Sequence, residues 1–120
     1  MGTTTVIVPQ SSPANAPDTA ESAAYENSRV VKASIGVLYG ISGYNSGPAQ
    51  FLQIHDSATV PADTAVPKLV IAIPTASNFS IDFGAYGLGL KKGGIVVCNS
   101  TTAPTKTIGA QDCWFNARYK

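Results

Sequence analysis

The stretch from Val30 to Tyr44, "VVKASIGVLYGISGY", constrains the fold more than any other. Val31, Ala33, Ile35, Val37, Tyr39 and Ile41 fall on alternate positions, with Lys32, Ser34, Gly36, Gly40 and Ser42 between them. A period of two puts every apolar side chain on one face of an extended chain, whereas a helix needs spacings of three and four. The stretch therefore predicts a strand with one buried face. Gly36 or Gly40 marks a bulge or bend in it, because glycine adds no packing to a strand interior.

The same pattern recurs downstream. "YNSGP" (44–48) is a turn, and "AQFLQIHD" (49–56) is the next strand. A loop with two prolines, "SATVPADTAVP" (57–67), leads to "KLVIAI" (68–73), where Leu69, Ile71 and Ile73 face one way until Pro74 stops the strand. "NFSIDF" (78–83) puts Phe79, Ile81 and Phe83 on one face. "GIVVCNS" (94–100) is apolar almost throughout and reads as a central strand. After a loop at 101–111, "DCWFNARYK" (112–120) places Cys113, Phe115, Ala117 and Tyr119 together. Six or seven short strands separated by turn signals predict an all-β fold, a single antiparallel β-sandwich of jelly-roll or Ig-like type, with a closed barrel as the competitor.

Residues 1–28 read differently. They are small and polar, are punctuated by Pro9, Pro13 and Pro17, and show no sustained apolar period. They predict an extended N-terminal arm (1–28) ahead of a sandwich domain (29–120). Within the arm, Val6, Ile7, Val8 and Pro9 form the one apolar patch suited to a partner. "DTAESAAYE" (18–26) permits a turn of helix, with Asp18 as N-cap and Glu21 three residues on.

Charged residues are 12% of the chain and the net charge is +1, so no chain-wide field attracts nucleic acid or a membrane surface. "MGTTTVIVPQ" lacks the basic start and long apolar run of a secretory signal, and no segment has the length of a membrane span. The expectation is a protein made in the cytosol, in which the sequons at Asn78 and Asn99 are chance matches.

"FGAYGLGLKKGG" (83–94) holds five glycines and two adjacent lysines, and raises the question of a phosphate loop. Gly84 and Gly89 have the required separation, but Leu90 stands where the lysine belongs and no hydroxyl follows Lys92. The following "GGIVVCNS" starts a strand, not the helix whose N-terminus would face the anion. A long turn between strands is the better reading, with Lys91 and Lys92 solvated or facing an acidic neighbour.

Other chemistry is sparse. His55 is the single histidine and has no spaced ligand partner, so neither a metal nor a cofactor is expected. Cys98 lies in the most apolar run, where a thiol behaves as a small hydrophobe. No acid pair converges, so an enzyme is not expected. Tyr39, Phe79, Phe83 and Phe115 have inward parity, which leaves Tyr44, Tyr86 and Trp114, with Asn45, as the candidate glycan-binding set of an alternative reading.

The series "KLVIAIPTASNFSIDFGAYG" (68–87), "GIVVCNSTTAPTKTIG" (94–109) and "DCWFNARYK" (112–120) resembles small virion proteins of tailed bacteriophages. In those a sandwich domain carries an "NF-x-IDFG … G … GIVVCNST" run. The resemblance implies a non-enzymatic structural role: a decoration or cement protein assembled in the host cytoplasm that bridges major capsid protein subunits or other virion proteins. A tail or surface adhesion module binding host glycans is the alternative. A homo-oligomer, trimer or dimer, is expected because a small sheet with open edges gains by pairing.

Cys98 and Cys113 flank one loop at similar distances. If their strands form a hairpin, the cysteines are nearly opposed, within disulfide range. A cytosolic route favours two free, buried thiols instead.

Overall fold

The computed structural model describes residues 16–120, which form nine strands and no helix. These are β1 (Asp18–Glu21), β2 (Ser28–Lys32), β3 (Gly36–Asn45), β4 (Gln50–Asp56), β5 (Leu69–Ile73), β6 (Ser77–Asp82), β7 (Leu88–Leu90), β8 (Ile95–Ser100) and β9 (Cys113–Tyr119). One sheet has the order β1-β9-β3-β6, with β7 beside β6 on the same edge of β3. The other has the order β2-β8-β4-β5. Every pairing is antiparallel.

The topology follows from a nested ribbon. β4 and β5 form a hairpin; outside it β3 pairs with β6 and β7, then β2 with β8, then β1 with β9. Winding that double strand around itself sends successive pairs to alternate sheets. This is a jelly roll, the arrangement that gives two packed sheets from one folded ribbon.

The core lies between the sheets. Leu38 and Ile41 of β3, Leu52 and Ile54 of β4, Ile73, Phe79, Leu90, Ile95 and Val97 meet Phe115 and Ala117 of β9. The Phe79 and Phe115 rings lie 6.3 Å apart, a tilted pair. Each such side chain contributes about 1.5–3 kcal/mol when fully buried.

The alternating stretch at 30–44 is two strands. Ala33, Ser34 and Ile35 carry the chain from one sheet to the other, and Ile35 is exposed. A bulge then falls between Leu38 and Gly40, with Tyr39 as the extra residue against β9. It moves Leu38 into the core and leaves Val37 and Tyr39 half-buried, while Ile41 keeps its expected inward face.

The expected turn of helix at 18–26 and the expected hairpin also need correction. Asp18–Glu21 is a strand, not a turn of helix, and it completes the sheet beside β9. The described part of the stretch from 1 to 28 thus belongs to the sandwich; Val6, Ile7, Val8 and Pro9 lie outside the described residues. β8 and β9 lie in opposite sheets, so Cys98 and Cys113 do not share a hairpin. Both thiols are free and buried. The segment 83–94 likewise holds a short strand, β7, and crosses from one sheet to the other.

β8 is buried on both faces, as its apolar run predicts. Its outward residues Val96, Cys98 and Ser100 are covered by the two long loops, 57–68 and 101–112. The loops are joined by Thr64 N–H to Lys106 O at 2.7 Å and Lys106 N–H to Ala65 O at 2.8 Å. Lys106 Nζ meets Asp63 Oδ1 at 2.8 Å. Gln53 Nε2 donates to the carbonyls of Thr102, Ala103 and Thr105 at 3.0–3.2 Å, tying the second loop to β4.

Candidate functional site

The glycine-rich segment does cradle an anion, and the anion is the protein's own. The Asp56 carboxylate, at the end of β4, accepts hydrogen bonds from four successive amides. These are Lys91 at 3.0 Å, Lys92 at 3.1 and 3.2 Å, Gly93 at 2.9 Å and Gly94 at 3.3 Å. Such a run of N–H groups is an anion nest. Desolvation pushes the Asp56 carboxyl up, but the four amides outweigh it and hold the group below its usual range. Gly94 is required by close approach: a Cβ there would sit 2.8 Å from the Ser57 carbonyl. Gly84 and Gly87 have positive φ, the turn conformation expected of them. The side chains of Lys91 and Lys92 are exposed.

The two thiols lie in the interior, and the imidazole is nearly buried. Burial pushes the Cys98 thiol up to about 11, and burial with the nearby Asp112 carboxylate pushes Cys113 up to about 12. His55 is 2% exposed and its Nε2 lies 3.0 Å from Gln53 Oε1. Burial, and then the Lys106 charge, hold its pKa below the usual value. His55 belongs to the outward face of β4 and so does not enter the space between the sheets.

A buried carboxamide cluster closes the opposite end of the sandwich. Gln50 Nε2 donates to Asn45 Oδ1 at 2.7 Å and to Asp112 Oδ1 at 2.8 Å. Asn99 Nδ2 donates to Gln50 Oε1 at 2.8 Å and to Ala110 O at 2.9 Å. Asn45 Nδ2 reaches the carbonyls of Pro48 and Pro74 at 2.8 and 3.0 Å. These bonds fix the β3–β4 turn against the β5–β6 and β8–β9 connections.

The expected glycan set is therefore divided. Asn45 is fully buried in that cluster and is not available to a ligand. Tyr86 is 95% exposed, in the β6–β7 turn at the other end of the molecule. Tyr44 and Trp114 are direct cross-strand neighbours on the outer face of β3 and β9. Trp114 also forms a shallow cleft of about 360 Å³ with Ser22, Ala23, Ala24 and Tyr25. Tyr25 was hidden in the sequence because its neighbours are small and polar. A large aromatic in such a stretch is the signal that the segment docks.

A second groove, of about 400 Å³, runs between the 57–68 loop and the 91–94 turn. Its walls include Pro61, Val66 and Pro67, and Lys68 and Lys92 stand beside it. His55 forms part of its floor.

Comparison with protein-family models, with curated proteins and with solved structures gives no match.

Proposed function

We propose that the chain is a non-enzymatic structural protein of a bacteriophage virion, a decoration or cement protein that bridges major capsid protein subunits, as a dimer or trimer. The observation that carries this reading is the internal use of its reactive groups. Both thiols are buried and held protonated, the one imidazole is bonded to Gln53, and Asp56 fills the glycine-rich nest. What such a molecule offers is a rigid body with working surfaces. The jelly roll is shared by viral capsid domains and lectins, which agrees with this reading as an analogy of fold alone. Antibody labelling of particles assembled in the host is the direct test. The chain is expected at regular positions on the head; its absence from purified particles would reject the proposal.

The Tyr44–Trp114 pair and the cleft beside Tyr25 favour a second reading, a surface adhesion module that stacks sugars on aromatic faces. Saturable binding on a glycan array, abolished by Trp114→Ala, would promote it over the first.

A further inference from the structure

We infer that the groove between the 57–68 loop and the 91–94 turn is a docking slot for an acidic, extended peptide segment of a partner protein. It rests on the proposed function only in taking the partner to be a protein. The argument begins with charge. The end of the sandwich where β2, β4 and β6 finish carries Lys32, Lys68, Lys91, Lys92 and Lys120 against Asp18, Asp56 and Asp82, whereas the opposite end carries Glu21, Glu26 and Asp112 against Arg29. Asp56 is the carboxylate in the groove wall, and the amide nest already holds it. Lys68 and Lys92 take part in neither ion pair found among the described residues. The slot thus presents two ammonium groups that form no ion pair, beside one carboxylate whose oxygens are already taken by amides.

The apolar part of the wall decides the kind of anion. Pro61, Ala65, Val66 and Pro67 line it, and Val66 is 77% exposed. That surface suits the aliphatic parts of a peptide. No Phe, Tyr or Trp lines the groove, so it lacks the broad stacking platform on which single-stranded nucleic acids lay their bases. A volume near 400 Å³ is at the low end for a ligand site, enough for a few side chains.

The floor adds a sensor. Gln53 Nε2 is taken by three carbonyls, so Gln53 Oε1 accepts and His55 Nε2 carries the proton. His55 Nδ1 is then a bare acceptor in a residue that lines the groove. The groups around the ring are Lys106 with its partner Asp63, Asp56 on the same strand, Lys68, Lys92 and the Cys98 thiol on β8. A bound carboxylate favours the imidazolium and raises the His55 pKa. By linkage, the peptide binds more tightly as pH falls through the bound-state value.

The test uses the single histidine as its own reporter. The full chain is titrated with hexaglutamate, and separately with hexathymidylate, while the imidazole proton signals are followed by NMR. Expected is a saturable shift with hexaglutamate and a His55 pKa that rises when the peptide is bound. Lys68→Ala/Lys92→Ala should weaken binding by about tenfold, the value of two exposed ion pairs. Both lysines are at the surface, so an unchanged amide spectrum away from the groove will show that the variant is folded. No saturable shift, equal binding by the double variant, or tighter binding of hexathymidylate would each overturn the inference. A chain missing from particles would leave this result standing, so the two readings fail separately.

Discussion

Asp56 shows how a single residue answers a question that a motif can only raise. The glycine-rich segment reads as an anion receptor because backbone amides do hold anions. The identity of the anion is not legible there, since the carboxylate lies 35 to 38 positions away along the chain. Removing it leaves four amides seeking one acceptor. Asp56→Ala should cost about 1.5–3 kcal/mol, the range for hydrogen bonds to a charged group, with the low end favoured because the site is partly exposed. Urea unfolding at neutral pH measures it. The Asp56 pKa is depressed on folding, so its contribution is complete above the usual value of 3.8 and is lost as pH falls through the lower folded value. Asp56→Asn should therefore flatten the acid limb of the stability profile below about pH 4. An unchanged acid limb would mean that the nest contributes nothing. Asn45 teaches the converse: beside Tyr44 it looks like part of a surface site, but alternation sends it to the other face, into the carboxamide cluster.

At the scale of elements, alternation made most strands readable, because it records which side of an extended chain is dry. β4, β5, β6, β8 and β9 stand where the pattern puts them. β1 has no apolar pattern: three of its four residues are exposed, and only Ala20 packs on the core. Its ladder with β9 holds it, together with Phe115 N–H to Ser22 Oγ at 2.9 Å. The reference for stability is a truncation that removes residues 1–15. One that removes residues 1–27 should lower it by about 2 kcal/mol, or ~8–16 °C in Tm for a domain of this size. Equal melting of the two truncations would show that β1 adds nothing to the sheet. Alternation is also silent about which sheet a strand joins, which is why β8 and β9 looked like a hairpin. With Cys98 and Cys113 in opposite sheets and held protonated, iodoacetamide should add no group to the native protein. It should add two after denaturation without reductant. A single adduct or none after denaturation would contradict free thiols.

The whole molecule is governed by the nesting of its ribbon. Of the strand pairs among the described residues, only β4–β5 joins immediate neighbours in sequence through a single loop. The pair β1–β9 joins Asp18 to Tyr119, and β2–β8 joins Ser28 to Cys98. Each outer pair must close a longer loop than the one inside it, and closure entropy is lost before the contacts that offset it can form. The loops that cover β8 add to this, because the bonds between 57–68 and 101–112 join residues far apart in sequence and so close a further long loop. Chains dominated by such pairings refold in milliseconds to seconds, not microseconds. The order of events follows from the nesting: the β4–β5 hairpin has the least to close, and β1 docks last. Stopped-flow refolding of the full chain should therefore give a main phase slower than about 1 ms. Removing residues 1–27 should speed unfolding while leaving the refolding rate within about twofold, as expected for contacts made after the transition state. A microsecond main phase would refute the nested order. A truncation that slowed refolding as much as it destabilised the protein would place β1 in the folding nucleus instead.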